Sequence, residues 1–104
     1  MFVFIESAAF DRVRAHYLDD DQYSELQQFM MQSPEVGAIV RASGGVRKLR
    51  WRRQGAGKRG GLRVVYFVRY QPSEFWMLAL YAKVKQENAP AHILKRLKEA
   101  FEHD

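Results

Sequence analysis

Two apolar runs that lie close together in the chain constrain the fold more than any other feature. Residues 62–70 and 75–82 are rich in β-branched and aromatic side chains and are apolar on both of their faces. Strands of this composition need cover on both sides, as the central strands of a sheet have. Residues 71–73, Gln-Pro-Ser, lie between the runs and predict a tight turn. We therefore expect a β-hairpin at the centre of a sheet.

The rest of the chain predicts two more strands and three helices. Residues 2–5 and 46–53 have strand composition. Ser7 is placed to cap a helix that runs to about Tyr17, and Asp19 with Gln22 predicts a capping box for a second helix. The apolar stripe of the first helix is Phe10, Val13 and Tyr17, and that of the second is Tyr23, Leu26 and Met30. A third helix is predicted after residues 88–90, with the apolar stripe Ile93, Leu94, Leu97 and Phe101. The sequence thus predicts a single α+β domain over residues 1–104, in the order β-α-α-β-β-β-α, with an antiparallel-rich sheet packed on helices.

Composition narrows the class of protein. The 104 residues are 47% hydrophobic and 13% aromatic, which excludes a disordered chain. Because there is no cysteine, disulfides, thiol nucleophiles and thiolate metal sites are excluded. The N-terminal apolar run is too short for a secretion signal, and no stretch is long enough to span a bilayer. We expect a soluble, cytoplasmic protein.

Positive charge is concentrated in one third of the chain. Residues 1–40 contain two basic and seven acidic residues, and residues 70–104 contain five of each. Residues 41–69 contain no acidic residue and ten basic ones: Arg41, Arg47, Lys48, Arg50, Arg52, Arg53, Lys58, Arg59, Arg63 and Arg69. A solvated face normally mixes the two signs, so this pattern indicates a surface that binds a polyanion, most commonly nucleic acid.

The predicted strands bring several of these charges together. Lys48, Arg50 and Arg52 alternate along one strand and therefore share a face. The loop at residues 53–61 adds bases on a backbone with four glycines, which lets the main chain approach a bulky ligand. The next strand brings Arg63 back beside them.

The positions of the residues in the sequence exclude two other kinds of site, a P-loop and a metal site. Residues 55–58, Gly-Ala-Gly-Lys, superficially suggest a phosphate-binding P-loop, but Arg52 and Arg59 occupy the positions that require Gly and Ser or Thr. A metal site needs clustered carboxylates or histidines. The three histidines are scattered over helical segments, at His16, His92 and His103. We therefore expect neither a metal nor another cofactor, and we expect the histidines at the surface.

Acid–base chemistry by lysine remains open. A lysine among like charges is pushed towards deprotonation and can accept a proton from a ribose 2′-hydroxyl, while arginines hold the phosphate. The candidates are Lys48, Lys58 and Lys83. The sequence does not separate this chemistry from simple phosphate binding. Tyr81 is expected on the strand face of Lys83 and is the candidate for stacking on a base.

The other aromatic residues of the strands are expected mainly in the core. Trp51 shares its predicted strand face with Leu49. Trp76 shares its predicted face with Leu78 and Leu80. Neither tryptophan is therefore expected to contact a ligand.

Three segments together resemble a known family: residues 44–50 (GGVRKLR), 55–66 (GAGKRGGLRVVY) and 80–83 (LYAK). They are similar to the RelE/ParE toxin superfamily, and within it to HigB-type toxins with a G-x-G-K-R-G-G loop. The resemblance implies a RelE-like (microbial RNase-like) fold and a toxin of a type II toxin–antitoxin system. Such toxins are ribosome-dependent, metal-independent endoribonucleases (mRNA interferases) that cleave translated mRNA in the ribosomal A site by attack of the 2′-hydroxyl on the adjacent phosphate.

The resemblance also implies roles for particular residues. Lys48 and Arg50 match the family's basic strand, with Lys48 as general base; Arg63 matches the arginine that stabilises the scissile phosphate. Lys83 matches a base at the end of the last strand. Some members carry an arginine directly after it, where this chain has Val84, so Lys83 or a neighbouring lysine must serve. The predicted residues for RNA and ribosome binding are Arg47, Arg52, Arg53, Lys58, Arg59, Tyr81 and Lys85.

The resemblance implies three partners: the ribosome with its 16S rRNA, mRNA, and a co-encoded antitoxin of helix-turn-helix type through which operator DNA is bound. No membrane partner is expected. Two other functions stay open. Relatives of this fold can inhibit DNA gyrase without acting as nucleases, and a general RNA-binding module would also need the basic surface.

Overall fold

The α+β class is confirmed, but the predicted order of elements is wrong at one point. The computed structural model describes residues 1–52, 61–82 and 89–102. Its elements are, in chain order, β1 (Val3–Glu6), α1 (Ala8–Tyr17), α2 (Asp20–Gln32), β2 (Ala38–Ile39), β3 (Arg47–Arg52), β4 (Gly61–Tyr70), β5 (Ser73–Ala82) and α3 (Ala91–Glu102). Strand β2 was not predicted. No helix in the described ranges is long and apolar enough to cross a membrane.

The described strands form one five-stranded mixed sheet with the order β1-β5-β4-β3-β2. Strand β1 pairs with β5 in parallel, and the other neighbours pair antiparallel. The β4–β5 hairpin therefore lies at the centre of the sheet, as the two apolar runs predict. Its ten-residue strands are the longest of the sheet.

Strand β2 escaped prediction because it is only two exposed residues long and shows no alternation. It pairs with the start of β3 and is held there by side chains from other elements. The Arg47 guanidinium donates to the backbone oxygens of Glu35 (2.9 Å) and Gly37 (2.7 Å). The Tyr66 hydroxyl accepts from the Gly37 N–H (3.0 Å) and donates to the Pro34 oxygen (2.9 Å). Tertiary contacts rather than local sequence therefore place this edge strand.

Each face of the sheet is covered by its own apolar cluster. On one side, here the α1/α2 side, helices α1 and α2 bury Phe10, Leu26 and Met30 against Tyr66 and Met77. On the other, the α3 side, a separate cluster surrounds α3, as its apolar stripe predicts: Val46, Val65, Trp76, Leu78, Tyr81 and Leu94. The Trp76 ring stacks on Phe101 with centroids 5.5 Å apart. Helix α3 thus packs against β5 on this side of the sheet.

A β-bulge in β5 changes which side chains share a face. Val65 is opposite Ala79, whereas Tyr66 is opposite Met77, so Leu78 has no residue opposite it. Beyond the bulge Leu80 packs on the α1/α2 side and Tyr81 on the α3 side. The expectation that Leu80 shares a face with Trp76 and Leu78 is therefore wrong, because the extra residue reverses the alternation.

Side-chain caps start the first two helices where the sequence places them. The Ser7 hydroxyl accepts from the Phe10 N–H (2.9 Å) and also donates to the Leu78 oxygen (2.8 Å). Asp19 and Gln22 make both hydrogen bonds of the predicted capping box. Ser7 therefore ties the start of α1 to β5 at the bulge.

Candidate anion-binding site

The sheet register brings the predicted charges to one side of three central strands. Arg50 in β3 is opposite Arg63 in β4, and Arg63 is opposite Tyr81 in β5. Directly opposite residues of antiparallel strands project from the same face with Cβ atoms about 4.5–5.5 Å apart. Val65 is opposite Lys48 and packs in the α3 cluster, which places this row on the α3 side. We call Lys48, Arg50, Arg52 and Arg63 the basic cluster.

Arg63 is the one charged residue among the described residues that is buried. Its side chain is buried, with 8% exposure. Its guanidinium donates a long hydrogen bond, 3.4 Å, to the backbone oxygen of Leu62. Within the described ranges no carboxylate oxygen lies within 4.0 Å of its guanidinium. Arginine stays charged when buried, so its guanidinium needs a negatively charged group that the described residues do not provide.

The position of Arg50 opposite Arg63 also favours a negative charge at this place in the sheet. Like charges directly opposite each other in a sheet destabilise it. Arg50 is exposed, so water screens part of this repulsion, but the buried Arg63 is screened far less. Because no carboxylate of the described residues lies within 4.0 Å of either guanidinium, an added negative charge would relieve this repulsion.

Lys48 is set up to lose its proton more easily than an ordinary lysine. Burial lowers its pKa first, and the Arg63 cation lowers it further. The shift has the direction expected from like charge, although burial is the larger cause. A lysine with a lowered pKa holds its proton less tightly, which is a requirement for a general base near neutral pH.

Tyr81 contributes a hydroxyl rather than a ring face. The residue is 9% exposed and its ring packs in the α3 cluster. Its hydroxyl is buried and has no hydrogen-bond partner among the described residues. Burial raises the pKa of this hydroxyl and the Arg63 cation opposes that shift, so Tyr81 keeps its proton at neutral pH and can donate a hydrogen bond. An orphaned hydroxyl of this kind costs about 1–3 kcal/mol, which a ligand acceptor can recover.

Arg47 is not brought to the basic cluster. It alternates with Lys48 along β3 and forms an ion pair with Glu35 at 3.1 Å, with 15% of its side chain exposed. A second guanidinium nitrogen, Nη1, donates to the backbone oxygens of Glu35 and Gly37 in the segment before β2. In the structure Arg47 therefore holds β2 against β3.

Several predicted residues lie outside the described ranges. They are the catalytic candidate Lys83, the base candidate Lys58 and the binding candidates Arg53, Arg59 and Lys85. In the described part Arg52 is exposed beside Gly61, on the face of Lys48 and Arg50. Of the four catalytic candidates the structure thus brings together Lys48, Arg50 and Arg63.

Histidines and carboxylates show no clustering where the structure can be described. His16 and His92 are exposed on separate helices, as predicted, and His103 lies outside the described ranges. Residues 1–52, 61–82 and 89–102 contain no group of three or more His, Asp or Glu side chains placed to hold a metal ion.

Sequence reasoning missed one part of this region, a groove between α1 and β5. It is lined by Ala9, Arg12, Val13, Tyr17, Ala79, Leu80 and Tyr81. The four α1 residues are spaced at i, i+3, i+4 and i+8 and therefore share one helix face, which the sequence alone could have shown. That this face borders Tyr81 follows only from the sheet register and the bulge.

The described residues therefore bring together a buried arginine, a lysine of lowered pKa and a buried tyrosine hydroxyl without a partner among them. No model of a known protein family matches the chain.

Proposed function

We propose that this protein is the toxin of a type II toxin–antitoxin system, a HigB-type member of the RelE/ParE superfamily that cleaves translated mRNA on the ribosome. The observation that carries the proposal is the buried Arg63 guanidinium, which has no carboxylate partner in the described residues and lies beside Lys48. A phosphodiester supplies the missing negative charge, and RNA supplies a hydroxyl for Lys48 to deprotonate.

The proposed reaction needs no group beyond the chain and the RNA. Neutral Lys48 accepts the proton of the 2′-hydroxyl, and the resulting oxygen attacks the adjacent phosphorus. The bond from phosphorus to the 5′-oxygen breaks, which leaves a 2′,3′-cyclic phosphate, and the leaving oxygen takes a proton to become a 5′-hydroxyl. Arg63 and Arg50 hold the charge that develops on the non-bridging oxygens. Lys83 is the proposed donor to the leaving oxygen.

The proposed partners follow from the same chemistry. Arg50 and Arg52, which are exposed on the α3 side of β3, contact mRNA or 16S rRNA phosphates. The further contacts are made by Arg53, Lys58, Arg59 and Lys85. An antitoxin that blocks this surface keeps the toxin inactive in the cytoplasm. The site in this proposal is the whole basic cluster, so an inhibitor needs only to cover it.

Primer extension on an mRNA during translation tests the proposal. We expect ribosome-dependent cuts with the wild type and none with Arg63→Ala. Arg69→Ala is a matched control, because Arg69 is in the same strand, exposed, and 3.9 Å from Glu74 at the other end. Intact mRNA together with supercoiling defects would instead identify a gyrase inhibitor, and binding to naked RNA without cuts would identify an RNA-binding module.

A further inference from the structure

Gly61 is the one described glycine that the fold does not require. A Cβ atom at Gly37 would come within 2.8 Å of the Tyr66 ring. Gly44 and Gly45 have φ angles of +78° and +98°, in the left-handed region that favours glycine. The φ of Gly61 lies outside that region, and a Cβ there would meet no atom of the other described residues within 4 Å. Neither the backbone nor the packing of the described residues therefore explains why residue 61 has no side chain.

Gly61 lies beside the basic cluster and on the same side of the sheet. It is directly opposite Arg52, just as Arg63 is directly opposite Arg50. Since directly opposite residues project from one face, the open space at Gly61 is on the α3 side. Residues two apart in a strand are separated by roughly 7 Å, so this space begins one such step from Arg63. A glycine in a strand often marks a place where a ligand approaches the backbone closely.

Arg52 gives this open space a positively charged wall. It is exposed, and no carboxylate oxygen of the described residues lies within 4.0 Å of its guanidinium. Arg50 and Arg52 are also one step of roughly 7 Å apart, which is close to the spacing of successive phosphates in an extended single strand. When Arg50 and Arg63 hold one phosphate, the next phosphate therefore reaches Arg52. The sugar between the two phosphates then passes over Gly61.

The proposed reaction gives this strand of RNA a direction. Lys48 accepts the proton of the 2′-hydroxyl, so the nucleotide on the 5′ side of the cut lies towards Lys48. Arg52 is on the other side of Arg50 along β3. The nucleotide on the 3′ side of the cut, whose 5′-oxygen leaves, therefore lies towards Arg52 and Gly61.

We propose that Gly61 is the floor of a subsite for the nucleotide on the 3′ side of the cut, and that Arg52 binds the 3′-phosphate of that nucleotide. The inference rests on the proposed function, because the direction of the strand follows from Lys48 as the base. A side chain at residue 61 would stand in the path of the RNA without disturbing the described packing.

Adding a side chain at residue 61 tests the subsite on ribosomes. We expect Gly61→Val to keep or raise Tm, because valine favours strands and restricts the unfolded chain more than glycine does. We expect the same variant to slow mRNA cleavage about tenfold, since the strand is displaced from the reacting groups. Ala15→Val is the control, because Ala15 is exposed on α1 at the other side of the sheet. A marked fall in Tm for Gly61→Val would show that the fold requires this glycine, and a wild-type cleavage rate would show that no RNA passes there; either result overturns the subsite.

Two dinucleotide isomers that cannot be cleaved separate the subsite from the proposed function. They are 2′-deoxy dinucleotides of one sequence that carry a terminal phosphate at the 3′ end or at the 5′ end, and hence the same charge. In NMR titrations of the full chain we expect the 3′-phosphorylated isomer to bind about tenfold more tightly and to shift the Gly61 amide. This preference should disappear in Gly61→Val and in Arg52→Gln.

The titrations and the cleavage assay fail independently. Equal affinities of the two isomers, the reverse order, or no binding of either overturn the subsite and leave the cleavage proposal to its own assay. The expected preference in a protein that cuts no translated mRNA overturns the proposed function and supports Gly61 and Arg52 as a nucleotide-binding site.

Discussion

A single buried cation organises the candidate site. Arg63 lies on a central strand where apolar side chains are expected, and the described residues provide it with no counterion. Its charge lowers the pKa of Lys48 and opposes the rise in the pKa of Tyr81. At the scale of residues, the proposed binding and the proposed proton transfer would therefore depend on the same guanidinium.

Replacing Arg63 separates function from stability. Arg63→Met removes a buried charge without leaving a carboxylate unpaired in the described structure, so we expect unfolding stability to stay unchanged or to rise by about 1 kcal/mol. Cleavage should fall by about 10²–10³-fold, since the phosphate loses its main donor. Urea denaturation and single-turnover cleavage measure the two effects. A large loss of stability would show that Arg63 is a structural residue.

The pKa of Lys48 should respond to Arg63 in a defined direction. Because Arg63 is the second cause of the lowered pKa, Arg63→Met should raise the Lys48 pKa part of the way to its ordinary 10.5, and burial should keep it below that value. A ¹³C NMR titration of the lysine Cε measures this, with Arg69→Met as control. An unchanged or lower pKa in Arg63→Met would contradict the proposed coupling.

The lowered pKa of Lys48 also makes the stability of the fold depend on pH. A lysine whose pKa is lower in the folded than in the unfolded chain holds its proton less tightly when folded. Its contribution therefore destabilises the fold below the folded pKa and fades as the pH rises towards 10.5.

At the scale of elements, the sequence predicted what depends on alternation and capping. The basic face of β3, the central hairpin and both helix caps follow from local patterns. The bulge at Leu78 does not, because an extra residue in one strand is defined by its partner strand. Strand β2 is set by Arg47 and Tyr66 from elsewhere in the chain. The position of Tyr81 beside Arg63 therefore required the structure.

Ser7 is the element-scale link between α1 and the bulge. Ser7→Ala removes a helix cap and the hydrogen bond to the Leu78 oxygen, so we expect a loss of about 1–2 kcal/mol in unfolding free energy. Ser24→Ala, on the exposed surface of α2, serves as the control. Equal stabilities of the two variants in urea would show that the cap does not hold α1 to β5.

At the scale of the whole molecule, charge is distributed unevenly between the two sides of the sheet. The sequence gives the first forty residues, which include α1 and α2, an excess of acid, and the α3 side carries the basic cluster. Helix α3 is fixed on that side by Lys98, which donates to the Gly44 oxygen (2.9 Å) and lies over the Phe67 ring. This asymmetry would orient the α3 side of the sheet towards the proposed polyanion.

Salt dependence distinguishes arginines that bind phosphate from those used internally. Arg52→Gln should lower the slope of log affinity for ribosomes against log salt by about 1, because an exposed arginine of the basic cluster is lost. Arg47→Gln should leave that slope unchanged, since Arg47 is paired with Glu35, but should lower stability. The reverse pattern would move the binding surface to the β2 edge.

The chemistry of the cut ends tests the central claim most directly. On programmed ribosomes we expect the wild type and Arg69→Met to produce fragments that end in a 2′,3′-cyclic phosphate and begin with a 5′-hydroxyl, and folded Arg63→Met to produce almost none. Equal cleavage by Arg63→Met, or fragments that begin with a 5′-phosphate, would contradict an RNA-cleaving centre built on Arg63 and Lys48.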